Sequence, residues 1–386
     1  MALGRDRAGR VAGGGTRPVA GGARADGGRG GALRLILTTD AVGGVWTYTR
    51  DLADALGAAG VDVLVALMGP VPAGLDHAAL ALVDTGLPLD WLAADEAAVR
   101  DAAAALARLA RERGADLVQI HSPALACADF AVPVVALIHS CVASWWEAVK
   151  DGPLPVDLAW RAALVAEGLR RSILAVAPSH AFAAAVERCY GVLPQVVHNG
   201  RSPLPLPSGL PRSDTVLTAG RLGDEGKNVT TLDRAAAFLS VPLEAAGSLR
   251  EPHGGGVTLD HAVALGRLSD DALAAKLAAR PVFASAALYE PFGLAVLEAA
   301  QAGCALLLAD TPVFRELWDG AATFVPACDA AAFAEAAERL LQDPQERDRL
   351  GAAARARAAR FTPRATAAAM LGHYRSVIGA DARVAA

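Results

Sequence analysis

The stretch Glu290-Pro-Phe-Gly-Leu-Ala-Val-Leu-Glu298 lies between two short apolar runs, at residues 281–285 and 305–308. Each run has the length and composition of a buried parallel strand, and the stretch between them has the apolar spacing of a helix. A strand, a loop, a helix and a second strand in this order form the repeating unit of a doubly wound parallel sheet. Ligands of such sheets bind in the loops at the carboxyl ends of the strands. Functional residues are therefore expected in those loops.

The start of that helix predicts a phosphate site. Phe292, Gly293 and Leu294 fall at its N-terminus, where unpaired backbone N–H groups and the helix dipole suit an anion. Glu298 follows one turn later among apolar neighbours, and a buried carboxylate is stable only with hydroxyl or N–H partners. The two hydroxyls of a ribose are such partners. The alternative is that Glu298 caps a local group or faces solvent.

The same alternation of short apolar runs and helical patterns fills the chain from Leu33 onward. It is interrupted once by a segment rich in proline and glycine, which is typical of a linker. We therefore predict an α/β protein with two facing Rossmann-like domains, each a doubly wound parallel sheet, and a cleft between them. The predicted divisions are a disordered Gly/Ala/Arg-rich leader at 1–32, an N-terminal domain at 33–199, a linker at 200–212, a C-terminal domain at 213–361 and a last helix at 362–386.

Composition argues against several classes of protein. Apolar residues make up 53% of the 386 positions, but no run of about 18 is free of polar residues, so no membrane span is predicted. The nearest approach, residues 131–146, is predicted as a buried strand that leads into a loop. The net charge of −5 argues against a nucleic-acid partner. Five scattered cysteines without a CxxC pair indicate buried thiols in a reducing cytoplasm.

A second candidate site is the glycine-rich loop Gly220-Arg-Leu-Gly-Asp-Glu-Gly-Lys-Asn228, which follows the apolar run 216–219. Arg221 and Lys227 are placed where a diphosphate would lie at the carboxyl end of a strand. An arginine binds phosphate oxygens with two parallel N–H groups, and a lysine adds a mobile point charge. The alternative is a solvated loop in which Arg221 pairs with Glu225.

The first half of the chain offers two weaker candidates. Gly43 and Gly44 open the helix after the first predicted strand, so their backbone can approach a phosphate or a sugar closely. His139 ends the apolar run 132–138, where its ring could form a hydrogen bond with a reacting sugar. His121 ends another run in the same way and competes for that role. The alternative for both histidines is a structural place in the core.

Several catalytic motifs are missing from the sequence. It contains no DxD motif and no His/Cys cluster with metal-ligand spacing, so no metal cofactor is expected. It also lacks a Walker A loop and a GxSxG elbow, which argues against a kinase or a hydrolase. The charge of a leaving group would then be met by Arg221, Lys227 and backbone dipoles.

Taken together, these motifs resemble those of the GT-B glycosyltransferases of family 4, a large retaining group that uses nucleotide sugars. The resemblance runs from about residue 33 to residue 375. The segments that carry it are Gly43-Gly44, Ala177-Pro-Ser-His180, His198-Asn-Gly200, the loop Gly220–Asn228, Glu290–Glu298 and Asp310-Thr-Pro-Val-Phe-Arg-Glu316.

The resemblance implies how a nucleotide-sugar donor would be bound. Arg221 and Lys227 would hold the diphosphate, with the N–H groups of Gly293 and Leu294 near it. Glu298 would bind the ribose. The C-terminal domain would thus be the donor domain and the N-terminal domain the acceptor domain.

The resemblance also implies roles at the reacting sugar. Glu290 would contact hydroxyls of the transferred sugar, and His139 would contact it near the reacting carbon, so that both join Arg221 and Lys227 as catalytic candidates. Gly44 would face the diphosphate or the acceptor. The configuration of the anomeric carbon would be retained, and the last helix would cross back onto the N-terminal domain.

The function expected from sequence is transfer of a sugar from a nucleoside-diphosphate sugar, with UDP favoured because it is common in the family. The acceptor is a hydroxyl of a glycan, a lipid-linked glycan or a small molecule. A catalytically silent nucleotide-sugar-binding protein and a sugar-nucleotide epimerase on the same fold remain alternatives. The expected location is the cytoplasm, with weak peripheral contact at the inner membrane face left open.

Overall fold

The computed structural model describes residues 32–41, 43–71, 80–250 and 255–384, with side chains described up to residue 379. The leader predicted at 1–32 lies outside these residues, except for Ala32. No helix in the described part of the chain is both long enough and apolar enough to cross a membrane.

The N-terminal domain is built on a parallel sheet of seven described strands in the order β3-β2-β1-β4-β5-β6-β7. These strands are β1 Arg34–Asp40, β2 Asp62–Met68, β3 Leu82–Asp84, β4 Leu117–Ile120, β5 Val134–Leu137, β6 Leu174–Ala177 and β7 Gln195–Val196. Its helices are α1 Gly44–Ala58, α2 Glu96–Glu112, α3 Val142–Val149, α4 Val156–Arg171 and α5 His180–Tyr190. The central strands β4 and β5 are buried at every position, because helices cover both faces of the sheet.

The C-terminal domain repeats this design with six described parallel strands in the order β10-β9-β8-β11-β12-β13. They are β8 Val216–Ala219, β9 Leu243–Ala246, β10 Val263–Gly266, β11 Val282–Ser285, β12 Ala305–Ala309 and β13 Ala322–Val325. The helices are α6 Val229–Ala236, α7 Asp270–Ala278, α8 Leu294–Ala302, α9 Pro312–Trp318, α10 Ala330–Gln342 and α11 Pro344–Ala358, followed by α12 Pro363–Val384.

Both sheets have the doubly wound strand order, which confirms the fold predicted from the apolar runs. In each sheet the order reverses beside the first strand, between β1 and β4 in one domain and between β8 and β11 in the other. Ligands of such sheets bind in the crevice outside the carboxyl ends of these strands. The loops after β1 and β8 carry the Gly43-Gly44 and Arg221 candidates, and the loop after β11 carries Glu290.

One local prediction is wrong, and four strands, β3, β7, β9 and β10, were not predicted. Residues 142–149 form helix α3, where a loop had been predicted, and the helix carries Trp145 to the opposite domain. Strand β9 contains the charged residue Glu244, and β10 is an edge strand with mostly exposed residues. Glu244 interrupts the apolar run of β9, and β10 is apolar but short and exposed at the sheet edge, so neither has the pattern of a buried strand.

The cysteines are all unpaired, and three of them, Cys127, Cys141 and Cys304, are buried. Cys328 is exposed, so the prediction of buried thiols is wrong at that position. It lies in the loop after β13, where the chain has left the sheet.

The chain passes between the two domains at two adjacent points. At the first crossing, after β7, the N–H of Arg201 donates to the carbonyl oxygen of Phe361 over 3.2 Å. At the second crossing, the Thr366 hydroxyl donates to the carbonyl oxygen of His198 over 2.8 Å. Helix α12 then packs on the N-terminal domain, where Tyr374 is fully buried in a cluster with residues of α1 and β1. The two crossings therefore form one hinge.

We expect Gly200→Ala to destabilise the protein at this hinge. A Cβ atom at residue 200 would lie 2.1 Å from the carbonyl carbon of Thr362, so one crossing would have to move away from the other. Overpacking of this kind costs about 1–3 kcal/mol. Gly372→Ala in α12 is the control, because a Cβ there meets no atom within 4 Å and should add about 0.5–1 kcal/mol. Urea denaturation midpoints measure both; equal midpoints for the two variants would contradict the account.

Candidate functional site

The two glycines after β1 allow the N-terminal domain to approach the C-terminal domain closely. Gly43 precedes α1 with φ 73° and ψ −143°, a conformation available almost only to glycine. A Cβ on Gly43 would lie 3.4 Å from Cδ of Arg221, and a Cβ on Gly44 would lie 3.2 Å from Cδ1 of Leu294. The structure thus brings the Gly43-Gly44 loop against both of the predicted phosphate-binding elements.

Helix α8 begins where the sequence predicted. Gly293 precedes it with φ 93°, and no described side chain caps its first turn. Phe292 is buried beneath this turn, and the carbonyl oxygen of Gly293 accepts the first helical bond, from Leu297 over 3.0 Å. The first N–H groups of α8, including that of Leu294, therefore remain available to an anion.

The glycine-rich loop after β8 places its two cations differently. The Arg221 side chain is 46% exposed, and its Nη2 lies 3.4 Å from Oδ2 of Asp224. Lys227 is mostly buried, and its Nζ donates to Oε2 of Glu290 over 2.5 Å. The structure thus brings Lys227 and Glu290 together. The alternative pairing of Arg221 with Glu225 is absent, because Glu225 pairs with Lys150 of the other domain.

Helix α3 of the N-terminal domain contacts this loop directly. Trp145 donates its indole N–H to Oδ1 of Asp224 over 3.0 Å. Ser144 shares a hydrogen bond of 2.9 Å with the hydroxyl of Tyr289, and that hydroxyl also accepts from the N–H of Cys141. Trp145 therefore fixes the loop that carries Arg221 and Lys227, a role that the sequence did not reveal.

Glu298 is mostly buried, with its side chain 12% exposed, and its partner is a residue that sequence reasoning missed. Its Oε1 accepts from Nε of Arg201 over 2.7 Å, and Nη1 of Arg201 lies 3.2 Å from Oδ2 of Asp51 in α1. Burial raises the pKa of Glu298, and Arg201 offsets part of that rise. The signal that could have found Arg201 is its position: it is the one charged residue directly after the His198-Asn-Gly200 segment, opposite a carboxylate that needs a donor.

The two candidate histidines lie together in the N-terminal domain but differ in their partners. Nδ1 of His121 lies 3.0 Å from the Thr49 hydroxyl, and Nε2 of His121 lies 2.7 Å from the amide nitrogen of Gln119. His139 lies 5.0 Å from His121 between ring centres, and its Nε2 is enclosed with no partner among the described residues. His121 is therefore committed to the core, and His139 keeps an unpaired nitrogen.

Both histidines are uncharged near neutral pH. Burial lowers the pKa of His139 to about 4. Burial also holds the pKa of His121 well below its ordinary value, and His139 adds to that effect. A neutral His139 can accept or donate a hydrogen bond without carrying charge. No described contact joins His139 to Arg221, Lys227 or Glu290, so the structure leaves it apart from the other candidates.

The Asp310–Glu316 segment contributes a contact between the domains. Glu316 in α9 accepts hydrogen bonds from the N–H groups of His180 and Ala181 over 2.9 and 2.7 Å, at the start of α5. Its Oε1 also lies 3.2 Å from Nε2 of His198. Burial acts to raise the pKa of Glu316, but these donors outweigh it, so the pKa lies below its ordinary value.

We expect Glu316→Gln to lower stability by about 1–2 kcal/mol at neutral pH, since charge-assisted bonds become neutral ones. A depressed carboxyl pKa stabilises the folded state above the unfolded value, about 4.3, and this is lost as pH falls through the folded pKa. The difference between wild type and variant should therefore be constant from pH 6 to 8 and shrink below about pH 4.5. Urea denaturation at several pH values measures it; a difference that grows on acidification would contradict the assignment.

Comparisons with known proteins show which proteins the chain resembles. The chain matches the model "Glycosyltransferase Family 4" over residues 42–203 and the model "Glycosyl transferases group 1" over residues 257–357. The phosphatidyl-myo-inositol mannosyltransferase of Mycolicibacterium smegmatis is 32% identical over 194 residues, which cover 47% of this chain and 50% of that protein. The match to this curated relative thus spans about half the relative's length.

Solved structures share the fold over nearly the whole chain. The sucrose-phosphate synthase of Thermosynechococcus elongatus superposes with a TM-score of 0.74 at 21% identity, covering 90% of this chain and 100% of that one. Anabaena Alr3699/HepE in complex with UDP-glucose superposes with a TM-score of 0.70 at 19% identity, covering 89% of this chain and 100% of that one. At such identities the likeness is one of fold.

Proposed function

Because the chain belongs to the family 4 glycosyltransferases and has their GT-B fold, we propose that it is a retaining transferase that uses a UDP-linked sugar. In this proposal the sugar passes to a hydroxyl of a glycan, a lipid-linked glycan or a small molecule. The reaction needs no metal cofactor and takes place in the cytoplasm. The donor lies in the cleft between the two sheets.

One observation carries the proposal: three separate groups suited to a nucleoside diphosphate converge where both sheets reverse strand order. The Gly43-Gly44 loop lies against Arg221 and Leu294, the first turn of α8 is uncapped, and Glu298 lies one turn further along the same helix. Backbone N–H groups and an arginine suit the diphosphate, and the carboxylate suits the ribose hydroxyls. The HepE neighbour has been solved with UDP-glucose and with UDP, which supports UDP as the first nucleotide to test.

The catalytic groups follow from these positions. Lys227 and Glu290 form an ion pair close to the N-terminus of α8. A sugar diphosphate bound there would have the cation beside its phosphates and the carboxylate beside its sugar hydroxyls. In this proposal the Nε2 atom of the neutral His139, which is enclosed and has no partner among the described residues, bonds a hydroxyl of the transferred sugar once the ring is exposed to the cleft.

The proposed reaction replaces one bond at the anomeric carbon with another on the same face. The bond to the diphosphate oxygen breaks, the acceptor oxygen forms the new bond, and the proton of the acceptor hydroxyl passes to the departing phosphate. Negative charge grows on that phosphate, where Arg221, Lys227 and the N-terminus of α8 stabilise it in a cleft with little water.

The acceptor is assigned to the N-terminal domain, because the donor groups lie mainly in the C-terminal domain. The mannosyltransferase relative acts on phosphatidyl-myo-inositol according to its name, which supports a lipid-linked hydroxyl among the candidate acceptors.

The donor nucleotide is tested by thermal stabilisation of the full chain with UDP, GDP, ADP, dTDP and CDP, each with and without EDTA. A ligand that binds only the folded state stabilises it and so raises the melting temperature. At a ligand concentration of one hundred times the dissociation constant, the added free energy of unfolding is about 2.7 kcal/mol. We expect the largest rise with UDP and no effect of EDTA. A shift that EDTA abolishes would overturn metal independence, and no shift with any nucleotide would overturn the proposed donor site.

Lys227→Ala is expected to weaken UDP binding about 10- to 100-fold, the value of one charge-assisted hydrogen bond to phosphate. Calorimetric titration with UDP measures the affinity. Lys276→Ala is the matched control, because Nζ of Lys276 forms a similar pair with Glu244 over 2.7 Å on another part of the same domain. Equal affinities of the two variants would show that Lys227 does not bind the donor.

A further inference from the structure

Arg201 has properties of a site residue although no expectation from sequence included it. Its side chain is only 5% exposed, and it lies at the first crossing between the domains. A buried arginine is stable only when its charge and N–H groups have partners. Its position is fixed from several sides: the carbonyl oxygen of Arg201 accepts from Gln301, and its N–H donates to Phe361.

The partners of Arg201 come from opposite domains. Glu298 belongs to α8 in the C-terminal domain, and Asp51 belongs to α1, which begins at the Gly43-Gly44 loop. Asp51 also accepts from the N–H of Ser202 over 3.0 Å. Among the described residues, Arg201 is the only hydrogen-bond donor to Glu298. The orientation of the Glu298 carboxylate therefore depends on Arg201.

The charge balance around Glu298 makes this dependence stronger. Three charged side chains from different parts of the fold act on the Glu298 carboxylate. They are Arg201 in the linker, Asp51 in α1 and Asp270 in α7. Nη2 of Arg201 lies 4.0 Å from the Asp270 carboxylate. One cation thus serves three carboxylates, and without it burial and the two aspartates would all favour the protonated form of Glu298.

We propose that Arg201 is a positioning residue of the donor site, which keeps Glu298 ionised and aimed at the ribose hydroxyls of a nucleoside diphosphate. The inference rests on the proposed function, since it takes the donor to bind at α8. An ionised carboxylate accepts hydrogen bonds from both ribose hydroxyls, whereas a protonated one has a donor of its own and accepts less well. Arg201 would therefore govern recognition of the ribose without touching it.

The test compares two probes, UDP and 2′,3′-dideoxy-UDP, by calorimetric titration of the full chain. Wild type should prefer UDP by about 10- to 100-fold, because only UDP offers hydroxyls to Glu298. In Arg201→Met this preference should fall at least about fivefold at pH 6 and partly recover at pH 8.5, as Glu298 ionises. Arg201→Lys keeps the charge and should keep most of the preference.

Two control variants separate positioning from a general loss of structure. Arg347→Met removes another buried arginine, whose side chain is 3% exposed and lies 3.0 Å from Asp214. It should lower the melting temperature and leave the preference for UDP unchanged. Asp51→Asn disturbs the same network but preserves the bond between Arg201 and Glu298, so it should also leave the preference unchanged. If Arg201→Met does not fold, Arg201→Gln, which is also uncharged, takes its place.

The outcomes distinguish this inference from the proposed function. If Arg201→Met prefers UDP as strongly as wild type does at every pH, the inference is overturned and the proposed donor site still stands. An equal loss in Arg347→Met would overturn it as well, since the effect would then follow from destabilisation. Failure of the wild-type chain to bind UDP would overturn the proposed donor and the inference together.

Discussion

The double crossing of the chain at one hinge is the constraint on which the rest of the structure depends. Gly200 and Arg201 pass against Phe361 and Thr362 so closely that no side chain fits at residue 200. A buried arginine at this point requires carboxylates, and its two shortest ion pairs, with Asp51 and Glu298, reach one domain each. Removing either charge would leave the other buried and uncompensated, at a cost of several kcal/mol. The hinge therefore fixes how the carboxyl ends of the two sheets face each other.

The proposed donor site depends on that relation, because its candidate groups come from both domains. The loop after β1 contributes close backbone approach, the loop after β8 contributes the cations, and α8 contributes N–H groups and a carboxylate. Contacts of α3 with Asp224 and of Glu316 with α5 join the domains at further points along the interface. A nucleotide sugar bound in the cleft would meet preorganised groups that need little movement.

The sequence predicted well what depends on neighbours along the chain. The strand Val216–Ala219 and the start of α8 at Leu294 are confirmed at the predicted positions, because apolar runs and a glycine before a helix are local signals. It also indicated that a carboxylate at Glu298, among apolar neighbours, would need a hydrogen-bond donor. It did not identify Arg201 as that donor, since 97 residues separate the two and only the fold brings them together. The choice between His121 and His139 likewise depended on Gln119 and Thr49, which surround only the first of them.

A crystal structure of the full chain with UDP tests the central claim most directly. The claim is that a nucleoside diphosphate binds between the points where the two sheets reverse strand order, with its ribose on Glu298. The account predicts both ribose hydroxyls within about 3 Å of the Glu298 carboxylate and the diphosphate between Arg221, Lys227 and the first turn of α8. UDP bound at another surface, or in the cleft with its ribose away from Glu298, would contradict it.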